Sequence, residues 1–425
     1  MTLPAERKPW ATAAQLAGRL GPMATIVESS EVSTLLDELT RMTGREDPYP
    51  RYRRLREISP IVRADDGALV ITRHADCLAV SRDSRLGHIP SHMLDFVSPG
   101  WPDHPALKQL FTSILALNPP DHTRLRRLVN SSFTARRVQA LGPRIAAMVD
   151  ELLDRMSGEV DFVEAFAFPL PATVIGELLG IPEPDRAQFQ GLVRDWTQVL
   201  ETHAPEALAV ADPAAVTIRE YLAALVAERR RQPADDLISA LVAAEEDGDK
   251  LTEDELLTMA GLLFIAGFET TTNLLANSVV ALLHHPAQLA LLREDPGLAP
   301  AATEELLRYD TPAQLLVRVA WDDVEVAGVP VSGGERIVAY LGAGNRDPER
   351  FAEPDRLELA RADNAPLSFG GGIHYCLGAP LARLEAQIAL PALVKRFPKL
   401  DFAGVPGRRD SLAIRGYTNL PIVAA

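Results

Sequence analysis

The chain has 425 residues, 47% of them hydrophobic and 24% charged, with 58 acidic against 43 basic side chains and a net charge of −15. This acidity argues against a nucleic-acid partner, because phosphate binding needs a concentrated positive face. Two cysteines, Cys77 and Cys376, are too few for a disulfide framework. A chain this long buries roughly three quarters of its unfolded surface, enough for a large core and a closed cavity.

The N-terminal MTLPAERKPW lacks the apolar run of a signal peptide, so a cytoplasmic location is expected. Residues 1–44 are poorly patterned and are expected to form a loosely ordered extension ahead of a single domain over residues 45–425. Ordered structure is expected to begin at DPYPRYRRLRE, and GALVITRHADCLAVSRD reads as a short strand followed by a helix. Residues 85–118 are rich in Gly, Pro, His and Ser and have no clear period; long irregular segments in compact chains often serve as lids. Helical patterns dominate residues 119–310. Short strands and loops follow to residue 375, including VEVAGVPV and ERIVAYL, and a last helix starts just after Cys376. The expected fold class is mainly α with small β-sheets.

The apolar stretch LLTMAGLLFIAGF, residues 256–268, ends at Glu269 and is too short to span a bilayer, so no membrane partner is expected. It lies within a longer helical run. Thr252 and Glu255 form a capping-box pattern, and Glu253 and Asp254 suit the positive helix start. No breaker follows until Pro286, after His284 and His285. That predicts a helix of about 33 residues, roughly 50 Å long, crossing the whole molecule.

The strongest chemical signal is SFGGGIHYCLGAPLARLE, residues 368–385. Gly370, Gly371 and Gly372 permit backbone angles and approaches that a side chain would block. Cys376 then stands at a helix start, where amides and the dipole stabilise a thiolate and tune its donation to a metal. Cys77 sits in an apolar helical pattern and reads as a structural cysteine. No second cysteine lies near Cys376 and no HExxH occurs, which argues against zinc.

This segment resembles the haem-binding loop of the cytochrome P450 family: phenylalanine, two residues, glycine, three residues, cysteine, one residue, glycine. Here these are Phe369, Gly372, Cys376 and Gly378, with Cys376 the implied iron ligand. Three further elements follow the family's order, and the resemblance spans residues from about 45 to 425. In AGFETTTN, small Ala266 and Gly267 are expected to leave room for O2. The resemblance gives Thr270 a hydrogen bond to bound dioxygen and Glu269 a proton relay from solvent. A structural ion pair for Glu269 and a bond from Thr270 back to the Ala266 carbonyl are the blander readings. In EELLR, Glu305 and Arg308 share a helix face, and the resemblance makes them a buried clamp completed by Arg361. In NPPDHTRLRRL, His122 and Arg126 face one way and Arg124 nearly the other. The resemblance places His122, Arg126, Arg318 and His374 on the haem propionates.

The implied cofactor is haem b, iron protoporphyrin IX, with O2 as co-substrate. No GxGxxG unit or flavin fingerprint is present. Electrons are therefore expected from NAD(P)H through a separate ferredoxin and ferredoxin reductase, docking at Arg124, Arg127, Arg136 and Arg137. The resemblance lines a substrate pocket with residues 85–100, the 180–210 region, Leu263, Ala266 and Ile414. Gln314 and Leu316 alternate with Arg318 along one strand face and join that wall. The implied reaction is monooxygenation, hydroxylation or epoxidation, of a medium-sized lipophilic substrate in secondary-metabolite tailoring. A peroxide-driven or oxidative-coupling haem-thiolate enzyme is one rival, and a non-catalytic haem-containing binding protein is another. The Glu269–Thr270 pair and Cys376 favour the monooxygenase.

Overall fold

The computed structural model describes residues 30–186, 188–246 and 249–425. Expectations for residues 1–29 lie outside the described residues. Helices dominate, as the sequence periodicity implies. The ones that build the site are His74–Arg82 (α1), Asp121–Ser132 (α2), Pro169–Leu179 (α3), Phe189–Thr197 (α4), Pro205–Arg231 (α5), Glu253–His284 (α6), Ala299–Tyr309 (α7) and Ala379–Arg396 (α8).

Helix α6 is the axis of the core. Its start is the expected capping box: the Glu255 amide donates to Thr252 Oγ1 (3.3 Å) and the Thr252 amide to Glu255 Oε2 (2.8 Å). Pro286 both stops α6 and opens the next helix, Pro286–Glu294, where its missing amide is no loss. By length and composition α6 could cross a bilayer, but most of its apolar stretch is buried against α3, α5, α7 and α8. Most of its surface is thus apolar and protein-covered, as befits a helix in the core of a large protein.

Among the described residues, eight short strands make up the two largest sheets: Ile61–Arg63 (β1), Leu69–Ile71 (β2), Leu86–Gly87 (β3), Gly158–Asp161 (β4), Leu315–Ala320 (β5), Arg336–Tyr340 (β6), Leu400–Phe402 (β7) and Pro421–Ala424 (β8). The larger sheet has the order β1-β2-β6-β5-β3, and a smaller one β7-β8-β4. VEVAGVPV folds as a tight hairpin, Val324 pairing with Val331. In the larger sheet β5 pairs antiparallel with β6 and, at its far end, with β3, where Gly87 faces Val319. That pairing sets residue 88 next to Arg318.

Two regions are more ordered than the sequence reading allowed. Residues 30–44 are helical and docked: Val32 and Leu39 are buried with Tyr52, Leu55, Val70 and Tyr340. Val32, Leu35, Leu36 and Leu39 form a helical stripe too short to stand out from its mixed surroundings. The lid-like segment 85–118 contains β3 and a helix, Pro105–Phe111. It is tied to α5 and the turn before it: His104 Nδ1 meets Asp212 Oδ2 at 2.7 Å, and Ser98 Oγ meets His203 Nδ1 at 2.5 Å.

The clamp implied by the resemblance is present. Arg308 donates two hydrogen bonds to Glu305 (2.7 and 2.8 Å), and Arg361 Nε reaches both carboxylate oxygens at 3.2 Å. Asn364 and the Glu358 amide add 2.9 and 2.8 Å contacts. Arg308 also donates to the carbonyls of Asn345, Pro354 and Arg356, which fixes the loop leading to the cysteine.

Candidate active site

Cys376 stands between the glycine loop and α8. Gly370 and Gly372 have φ of +66° and +64°, which only glycine adopts without strain. A Cβ on Gly372 would lie 2.5 Å from the Ser81 carbonyl oxygen, so the loop can lie against the end of α1 only with glycine there. Gly378 has ordinary angles; its contribution is its amide. Burial pushes the Cys376 thiol up, and the Gly378 and Ala379 amides with Arg126 and Arg383 pull it down. Burial is the largest influence on the thiol although the residue retains accessible surface, the pattern of a group facing internal space. Arg383 stacks 4.4 Å from the Phe369 ring centroid, donates to Tyr375 Oη (2.9 Å) and is tied to Glu304. This network immobilises the loop around the sulfur.

Beside the cysteine is a cluster of one sign. His122 and His374 have ring centroids 4.2 Å apart, and His88 packs edge-on to His374 at 4.6 Å. Both nitrogens of His122 and the Nε2 atoms of His374 and His88 are buried without a partner. Arg318 is buried and donates to the Val317 carbonyl at 2.8 Å, and Arg126 donates to the Tyr375 carbonyl at 2.8 Å. Among the described residues no carboxylate pairs with any of the five. Burial, then Arg126 and Arg318, hold His122 at about 4. Burial, then His122, Arg318 and Arg126, hold His374 at about 3. Burial alone brings Arg318 down to about 10. Unpaired buried cations and orphan donors are costly, and the arrangement calls for an anion. His88 is the member that sequence reasoning missed.

Helix α6 opens one face to internal space. Leu263, Ala266 and Thr270, spaced by three and four, retain accessible surface while Phe264, Ile265, Phe268 and Glu269 are buried. Thr270 Oγ1 donates to the Ala266 carbonyl at 3.1 Å, the back-bond weighed above, and the hydroxyl oxygen keeps its lone pairs for the open side. Gly267 is placed differently from the expectation. A Cβ there would lie 2.8 Å from Ile175 Cδ1, so its smallness serves the close packing of α6 on α3. Glu269 is turned inward, ion-paired with Arg409 and accepting from Asn273 Nδ2 at 3.4 Å. The blander ion-pair reading thus describes its resting position.

Gln314 does not join an open wall. It precedes β5 and is buried, accepting from Tyr52 Oη (3.0 Å) and donating to the Thr311 carbonyl (2.7 Å). Leu316 and Ile414 are half-buried, the latter beside Ala313 through an isolated bridge. The basic patch is also smaller than expected. Arg124 is neutralised by Asp249 (3.4 Å) and Glu255, and Arg137 faces Asp235 at 3.5 Å. Those carboxylates lie far away in sequence, so no local pattern announces them.

A family model described as Cytochrome P450 matches residues 184–296 and 297–403. The chain is 45% identical over 392 residues to Cytochrome P450 107B1 of Saccharopolyspora erythraea, covering 89% of this chain and 95% of that protein. It is 43% identical over 389 residues to cytochrome P450 monooxygenase PikC of Streptomyces venezuelae, covering 88% and 91%. The crystal structure of P450BioI in complex with hexadec-9Z-enoic acid ligated acyl carrier protein superposes with a TM-score of 0.84 at 36% identity, covering 90% and 99%. The chain belongs to the cytochrome P450 family. It is a haem-thiolate monooxygenase that uses O2. The residues present fit a P450 haem: a cysteine whose thiol the Gly378 and Ala379 amides pull towards the charged form, and beside it a cluster that no described carboxylate joins, whose buried nitrogens, some of them orphans, suit an anionic edge.

Proposed function

We propose that this P450 hydroxylates or epoxidises a medium-sized lipophilic substrate of secondary metabolism in the cytoplasm. Electrons come from NAD(P)H through a separate ferredoxin and ferredoxin reductase. The observation that carries the substrate class is the accessible apolar face of α6, Leu263 and Ala266, inside an otherwise buried helix. The long acyl chain in the P450BioI complex supports the same class. Leu316 and Ile414 complete the apolar wall in this reading; Gln314 supports it from behind.

When bound, the haem supplies two-electron activation of O2 and insertion of one oxygen atom. Cys376 would be its ligand, its thiol pulled towards the charged form by the Gly378 and Ala379 amides, and His122, His374, Arg126 and Arg318 would hold its carboxylates. Thr270 presents its hydroxyl on the open face, positioned by the Ala266 carbonyl. Glu269 is the acid nearest in sequence to that face. To pass a proton to Thr270 Oγ1 its carboxylate leaves Arg409, takes up a proton from solvent and turns towards the hydroxyl. The electron donor docks beside Pro119, Pro120, Thr123 and Arg127, where the surface is concave.

The test is a ligand panel read by the spin-state shift of the haem band. Macrolides, steroids and long-chain fatty acids are expected to shift it, and the best binder to give product coupled to NAD(P)H use with a ferredoxin system. Binding confined to small polar compounds would refute the substrate class.

A further inference from the structure

We infer that His88 is a third histidine donor to the haem carboxylates, contributed by the segment that covers the site. The inference rests on the reading that Arg318, His122 and His374 hold those carboxylates. His88 Nε2 is buried with no partner, and its ring stands edge-on to His374 at 4.6 Å. A buried ring nitrogen in that state calls for a hydrogen-bond partner, and as an N–H it would donate to a carboxylate.

The surroundings of His88 show that its position is built. Its amide donates to Asn118 Oδ1 at 2.8 Å, and Asn118 Nδ2 donates to its carbonyl at 3.0 Å. One side chain thus closes both backbone groups of residue 88, as a neighbouring strand would. Trp321 Nε1 approaches the same carbonyl at 3.5 Å. A Cβ on Gly87 would fall 2.1 Å from the Trp321 ring and 2.7 Å from Asn118 Oδ1, so this packing requires glycine. The pairing of Leu86 with Ala320 and Gly87 with Val319, carried on by one residue, brings His88 opposite Arg318. Asn118 ends the lid-like segment and His88 lies near its start. Holding the cofactor's carboxylates through His88 therefore also pins both ends of residues 88–118.

The experiment follows haem transfer from the holoenzyme to an apo-globin acceptor for wild type, His88→Phe, His88→Gln and Arg318→Leu. Each protein is first checked for the red-shifted reduced carbon monoxide band and for thermal midpoint. His88→Phe is expected to lose haem about tenfold faster, the scale of one hydrogen bond to a charged group. His88→Gln, whose amide still donates, is expected within about threefold of wild type. Wild-type retention in His88→Phe would overturn the proposal. Equal losses in Phe and Gln variants with matching drops in thermal midpoint would overturn it too, marking His88 as a packing residue. Unchanged retention in Arg318→Leu would instead refute the underlying carboxylate site, whatever His88 does.

Discussion

Two clusters of buried charge lie in this core, and they are built in opposite ways. At Glu305 every charge is answered: one carboxylate receives Arg308, Arg361, Asn364 and a backbone amide, and Arg308 spends its remaining donors on three carbonyls. At His88, His122, His374, Arg126 and Arg318 no carboxylate among the described residues answers the cations, and buried ring nitrogens have no partner. A complete cluster is a structural clamp. An incomplete one, beside a cysteine whose thiol two amides pull towards the charged form, is a place for a ligand. Neither burial nor charge alone distinguishes them; the accounting of partners does.

The largest effect is expected at the complete cluster. Glu305→Ala leaves Arg308 buried and unpaired and is expected to cost on the order of 3–5 kcal/mol. Denaturant unfolding of the holoenzyme checks this, and a loss below about 1 kcal/mol would erase the distinction between the clusters. Arg318→Leu is expected to do the reverse. It removes a buried cation whose anion is the cofactor, so haem transfer should accelerate by roughly tenfold to a hundredfold. Chain stability measured without haem should hold or rise.

Acid should separate the clusters as well. Without haem, the folded values of about 4 for His122 and about 3 for His374 lie below the ordinary 6.5. The unfolded chain then binds more protons below pH 6.5, so haem-free stability falls as pH drops from 6.5 towards 3. Haem carboxylates lift both values and shrink that loss. The gap between the unfolding midpoints of loaded and haem-free protein should therefore widen from pH 7 to 5.5; parallel shifts would contradict it. At the fully paired Asp310, burial alone would raise the carboxyl, but Arg415 and Arg408 outweigh it and hold it at about 2. Its contribution is lost only as pH falls from about 3.8 to 2, outside the window of the test. The smallest stability effect is expected at Thr270→Ala, within about 0.5 kcal/mol. Its consequence should be chemical, with product per NAD(P)H falling on the order of tenfold; unchanged coupling would remove Thr270 from its role.

The features legible in the sequence were the local ones. Gly370, Gly372 and Cys376 lie in one short loop, the capping box joins residues three apart, and Glu305 and Arg308 share one helical turn. What escaped was set by partners far along the chain. His88 gains meaning only beside Asn118, Trp321 and His374. Glu269 is defined by Arg409, Gly267 by Ile175, and Arg124 by Asp249 and Glu255. The alternation placing Gln314 with Leu316 assumed a strand that begins one residue later, so tertiary contacts with Tyr52 and Thr311 set its side chain instead. Residues 30–40 show the same limit, since a three-turn stripe needs its partner surface to be recognised.

The central claim is that Cys376 is the thiolate that makes this cluster a haem site. Its most direct test is the absorption spectrum of the purified protein, reduced and exposed to carbon monoxide, for wild type and Cys376→Ser. The account expects a strongly red-shifted Soret band in wild type that is lost in the variant. A wild-type band of the histidine-ligated kind, or the same band in both proteins, would contradict it.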